Sequence, residues 1–212
     1  MWRCVWLVLA TLAVACGATT EEAEVTEAKS REARELFEQA EAARRARDWQ
    51  GALELYEQTS REAAGVFDDA LQAEALAQSA RMYSVLGDQG QGRPRLALAE
   101  QIASPDDPGA WARLLIVRGV YAREDGDMQA AVADFVACYD YCMERERWGD
   151  AVDAAHHVAI AGDAPTREEW AKKGIAAAQE AGESGWLGPL WNNLGWDYID
   201  QGRNEEALAA LL

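Results

Sequence analysis

The sequence predicts an all-α fold, a solenoid of about five helix–turn–helix repeats, and three observations carry that expectation. First, a short turn signature recurs at Arg47-Asp48, Gly87-Asp88, Gly126-Asp127, Gly162-Asp163 and Gly202-Arg203, at intervals of 40, 39, 36 and 40 residues. Second, a small residue stands eight positions before the second member of each turn: Ala40, Ala80, Gly119, Ala155 and Gly195. Third, half of the 212 residues are hydrophobic and no run alternates with period two, so apolar material is ample and no strand is expected. A helical pair of this size cannot bury its apolar face alone. It must stack on copies of itself.

The chain opens on a processing signal. Met1-Trp2-Arg3 is short and basic, and Val5 to Ala15 is almost wholly apolar. Eleven apolar residues are too few to span a bilayer, which takes about 20, but they suit the core of a signal peptide. Residues 1–15 are therefore expected to be removed. Ala13-Val14-Ala15 supplies the A-x-A cleavage site, and Cys16 follows at once. Leu12-Ala13-Val14-Ala15-Cys16 also resembles the bacterial lipobox, with its leucine one position early. Two outcomes stand side by side: lipidation at Cys16, or plain secretion through the same cleavage bond. Residues 16–29 are small, polar and acidic, and read as a tether.

The array is expected over 30–212, with repeats near 30–66, 67–104, 109–147, 148–182 and 186–212, the last incomplete. The first pair should span 24–46 and then run from Trp49 to 64. A helix over 68–86 precedes the glycine-rich stretch 87–92, read as a loop before Pro94. Ser104-Pro105-Asp106-Asp107-Pro108-Gly109 is the sharpest break in the chain. The next pair occupies 109–126 and 127–146, the second helix with a stripe of Met128, Val132, Phe135, Tyr139 and Cys142 at helical spacing. Helices over 149–161, 165–181 and 188–200 follow, with residues 182–188 as a loop and a last helix from Asn204. Pro94, Pro105, Pro108, Pro165 and Pro189 all fall at expected helix starts or in loops.

The segment Trp191-Asn192-Asn193-Leu194-Gly195-Trp196-Asp197-Tyr198 has the form W-x-x-L-G-x-x-Y, and Gln201-Gly202-Arg203 and Ala207 follow it. Trp191, Leu194 and Tyr198 share a helical face, while Gly195 and Ala207 clear the crossing of the two helices. This spacing resembles the tetratricopeptide (TPR) repeat. Leu115-x-x-x-Gly119, Gly126-Asp127 and Ala131-x-x-x-Phe135 repeat it, and Ala52 and Tyr56 supply the second half of the first copy. The resemblance implies a right-handed α-solenoid whose first helices line a concave, partner-binding groove. Mapped onto this chain, the implied groove residues are Gln78, Arg81, Arg113, Val117, Val120, Asp153, His156, Asn192, Asn193 and Trp196. Asn193 is similar to the family asparagine that clasps a bound peptide's backbone.

Composition narrows the function. The formal charge of −17 repels nucleic acid and disfavours adsorption to anionic lipid, leaving an anchor on Cys16 as the membrane contact. No nucleophile–base, H-E-x-x-H or paired-acid arrangement stands out, so no enzyme and no cofactor is expected. Cys138, Cys142, His156 and His157 could form a zinc site only with a ligand spacing that they lack, and core packing is the reading taken. The expected partner is a protein or peptide in the groove. An alternative makes the array the N-terminal sensor or assembly module of a larger chain. The final Ala209-Ala210-Leu211-Leu212 leaves leucines bare, which implies continuation of the chain or cover by a second subunit, hence self-association through the last helix.

Overall fold

The computed structural model describes residues 20–212, which form ten helices and, among the described residues, no strand. The signal segment 1–15 and Cys16 lie outside the described residues. The helices are α1 Thr20–Arg45, α2 Trp49–Gly65, α3 Asp69–Val85, α4 Gln89–Ile102, α5 Pro108–Glu124, α6 Met128–Met143, α7 Trp148–Ala161, α8 Ala164–Ala181, α9 Ser184–Asp200 and α10 Asn204–Leu211. They pair as α1/α2, α3/α4, α5/α6, α7/α8 and α9/α10, a TPR-like solenoid of five repeats. The tether expected over 16–29 is already helical from Thr20, because Glu, Ala and Lys there are good helix formers.

The recurring acids are helix caps. The Asp48, Asp68, Asp88, Asp127 and Asp163 carboxylates each accept the backbone N–H three residues on, at Gly51, Leu71, Gln91, Ala130 and Thr166. Such a cap contributes about 1 kcal/mol. Before Asp48, Asp68, Asp88 and Asp127 the chain turns through a left-handed residue, Arg47, Phe67, Gly87 and Gly126, and Gly202 turns likewise before Arg203, which makes no side-chain cap. The fourth turn differs. Gly162 is extended, with φ −72° and ψ 170°, and α7 has 14 residues against 17 in α3, α5 and α9. The lost turn of helix accounts for the short 36-residue step.

Within each repeat the small residue meets a position 16 residues later: Ala40 with Tyr56, Ala80 with Leu96, Gly119 with Phe135, Ala155 with Ala171 and Gly195 with Leu211. The Ala40–Tyr56, Ala80–Leu96 and Ala155–Ala171 pairs each share a core cluster. A Cβ on Gly119 would stand 2.5 Å from the Phe135 ring, and one on Gly195 2.5 Å from Leu211 Cγ. Large and small therefore interlock at four of the five crossings, and the fourth repeat sets alanine against alanine.

Two expected loops are helical. The stretch 87–92 is a single turn followed by α4, which contains Gly90, Gly92 and Pro94. Gly92 is a packing position: a Cβ there would lie 1.8 Å from the Tyr121 hydroxyl, which donates to Ala80 O at 2.8 Å. Likewise α9 begins at Ser184, so the loop expected over 182–188 ends early and Pro189 is inside the helix. A helical proline clashes with the carbonyl four residues back. Both prolines have glycine at that place, Gly90 and Gly185, where the backbone yields most easily. On α6, Met128 leaves the expected stripe and is 47 % exposed, while Ala131, Phe135, Cys138, Tyr139 and Cys142 are buried. Cys138 and Cys142 are free thiols in that core, their Sγ atoms 3.9 Å apart.

The first helices of successive repeats touch, α3 with α5, α5 with α7 and α7 with α9, whereas the second helices make no extensive contact with one another. The array therefore curves with its first helices inward.

Candidate functional site

The inner face is occupied over much of its length by its own charged side chains. On α1, Glu41 accepts hydrogen bonds from Arg44 at 2.8 Å, from Gln78 Nε2 at 2.7 Å and from the Tyr56 hydroxyl. Arg113, from α5, reaches across to three other helices. Its guanidinium is 4.0 Å from Glu41, 3.8 Å from Glu74 and 3.4 Å from Asp150. Arg147, on the turn into α7, closes on Asp150 at 2.6 Å. Arg81 passes over α5 to α7, where both terminal nitrogens lie 3.3 Å from His157 Nε2. His157 stacks on Phe135 with ring centroids 4.8 Å apart, and Asp153 Oδ1 is 3.6 Å from its Nε2.

Burial and charge set the protonation of these groups. Burial works to raise the Glu41 carboxyl, but the Arg44 hydrogen bond and the Arg113 charge outweigh it and bring its pKa to about 2. Burial depresses the His157 imidazole to about 3, so it is neutral and its Nε2 accepts from Arg81. Burial also raises Glu74, against the pull of Arg113 and Arg147. Arg113 is raised, since four carboxylates together overcome its desolvation. Arg81 is lowered, first by burial and then by its cationic neighbours, with Asp153 opposing.

The residues expected in the groove divide into three groups. Gln78, Val117 and Val120 are 1 %, 0 % and 4 % exposed, so they offer a partner nothing and must be struck from the lining. Gln78 is used by Glu41. Val117 packs with Leu76, Ala77 and Ala80 between α3 and α5, and Val120 belongs to the core shared by α5 and α7. Tight curvature brings successive first helices together at the positions that a more open array would expose. Arg81, Arg113 and Asp153 do reach a cleft of about 690 Å³, lined also by Glu41, Arg147, Trp148, Asp150 and Trp186. His156 is half-buried, its ring 5.4 Å from Trp186 and its Nδ1 accepting from Asn193 Nδ2 at 3.1 Å. Only α9 presents an open face: Asn192 is exposed, Asn193 is partly so, and Trp196 is 57 % exposed beside Ile160.

Sequence reasoning missed Glu41, Glu74, Asp150 and His157 as members of the inner lattice. Glu41 was within reach, since it follows Ala40 as Arg81 follows Ala80. The long crossings from α3 and α5 to α7 have no local signal. At the far end, Trp191, Asn192 and Leu212 border a second hollow of about 540 Å³ between α9 and α10, with Leu212 98 % exposed.

No family model and no curated protein matches this sequence. Solved structures do. A crystal structure from P. anserina, described as a putative kinesin light chain with nearly identical TPR-like repeats, aligns with TM-score 0.61 at 20 % identity, covering 86 % of this chain and 92 % of that one. BtubC (BKLC) from P. vanneervenii aligns with TM-score 0.61 at 14 % identity, covering 92 % of this chain and 89 % of that one. Both likenesses bear on the fold, and both are to repeat solenoids.

Proposed function

We propose that this chain is a non-catalytic scaffold that binds a protein or peptide along its inner face, entering at α9 and extending toward the cleft between α1 and α7. The observation that carries this reading is the contrast along that face. Trp196 stands open and uncovered beside Asn193, while most of the charged side chains deeper in, Arg44, Arg113 and Arg147 among them, are already in ion pairs. An exposed tryptophan next to an amide that can bind a peptide backbone is the composition of an interface anchor. The TPR-like fold is commonly used for protein interaction, which agrees with it.

The test is capture of partners by the full chain and by the variant Asn193→Ala plus Trp196→Ala. Loss of specific partners from the variant, with its helical signal intact, supports the reading. Identical capture by both proteins rejects it. Export and anchoring belong to the same proposal: residues 1–15 direct secretion to a bacterial envelope, and Cys16 carries the lipid. Membrane fractionation of wild type and Cys16→Ser decides this. If both fractionate as soluble protein with Cys16 unmodified by mass spectrometry, the anchor is wrong.

A further inference from the structure

Five arginines line the inner cleft, and four of them have a carboxylate within 4.0 Å. Arg44 and Arg45 meet Glu41, and Arg113 and Arg147 meet Asp150. Arg81 meets none among the described residues, in a chain with 37 carboxylate side chains. Its only hydrogen-bond acceptor there is His157 Nε2, one lone pair for five N–H donors. It is nonetheless largely withdrawn from solvent at the cleft floor. The nearest opposing charge is Asp153, which lies 3.6 Å from the same His157 Nε2 but not in direct contact with the guanidinium, so the cation has an offset counter-ion and spare N–H donors. The other cations acting on it are Arg44, Arg113 and Arg123, and Arg123 has no ion pair of its own among the described residues.

We propose that Arg81 is the floor of an oxyanion site, taking a single carboxylate presented by the bound peptide. A guanidinium fork suits that group, because two parallel N–H donors match its two oxygens. The site takes one anion and not a run of them. Glu41, Asp150 and Asp153 line the same cleft and repel a second negative charge. The proposal rests on the peptide-groove reading for the source of the carboxylate, whereas the anion site itself can be measured without any partner.

The full chain, labelled at its arginine side-chain nitrogens, is titrated by NMR with acetate, with inorganic phosphate, and with the blocked tripeptides acetyl-Gly-Glu-Gly-amide and acetyl-Gly-Gln-Gly-amide. The expected result is a saturable shift of the Arg81 resonance with acetate and the glutamate peptide, and little shift with the glutamine peptide. Arg81→Gln should weaken glutamate-peptide binding at least about tenfold, the loss of one charge-assisted hydrogen bond. Arg31→Gln, an exposed arginine on α1 outside the cleft, should leave it unchanged. Helical circular dichroism checks that each variant is folded, and Arg81→Lys, which keeps the charge, should retain part of the binding. A shift with phosphate alone would make the site one for free phosphate and overturn the peptide source. No saturable Arg81 shift, or equal binding by Arg81→Gln, overturns the site. These results are independent of the Asn193→Ala plus Trp196→Ala experiment, so the two proposals can fail separately.

Discussion

The inner face at α1 to α7 and the inner face at α9 are built from the same helix position but do opposite things. In the first region, Glu41 and Arg81 follow the small residues Ala40 and Ala80, and both are drawn into hydrogen bonds across the curve. In the second, Trp196 follows Gly195 and points into solvent. The difference is neighbours. Gln78 and Arg113 reach Glu41 and Arg81 reaches His157, whereas among the described residues Trp196 keeps 57 % of its surface exposed. A repeat position thus has no fixed role in this array. Stability is concentrated where the curve closes, and open binding surface where it does not.

The strongest test of that division is Phe135→Ala. The ring is fully buried, fills the space left by Gly119 and supports His157. Its loss should cost about 3–5 kcal/mol, read as a lower denaturation midpoint in urea. Arg113→Ala should follow closely, at about 3 kcal/mol, because Glu41, Glu74 and Asp150 lose a shared cation while buried. Equal stability of that variant would show that the lattice contributes nothing.

Acid should attack the closed region in two stages. The His157 pKa is depressed to about 3 from 6.5, so the unfolded chain binds the extra proton first. That contribution is present above pH 6.5 and is lost as pH falls toward 3. Glu41 is depressed to about 2 from 4.5, and its contribution, of order 3 kcal/mol, is present above pH 4.5 and lost as pH falls to about 2. Glu74, whose pKa is raised, runs the other way and is favoured below its ordinary value. Thermal midpoints measured from pH 8 to 3 should fall from near pH 6.5 downward, and His157→Gln should flatten the upper part of that decline. The smallest stability effect belongs to Trp196→Ala, at most about 0.5 kcal/mol, as for an exposed side chain. A large loss there would mean that α9 is part of the closed core after all.

Much of the fold was legible because the period is written in local chemistry. The Asp caps, the left-handed glycines and the small crossing residues each recur for a reason that acts within one repeat. The errors came where glycine has two meanings. Gly90, Gly92 and Gly185 were read as loop, yet Gly92 is required by Tyr121, and Gly90 and Gly185 sit where a helical proline needs them. The groove was less legible, because exposure there depends on curvature. Nothing adjacent to Val117 or Val120 in sequence tells how closely α3 and α7 approach α5.

Arg81 and Arg113 have one more consequence. A repeat array with contacts only between neighbours can unzip from either end, one unit at a time. Here Arg81 joins the second repeat to the fourth, and Arg113 joins the third to the first, second and fourth. Detaching one of these units strands charges on another that it does not adjoin in the chain. The first four repeats should therefore melt as one block, protected together in hydrogen exchange, while α9 and α10 fray ahead of them.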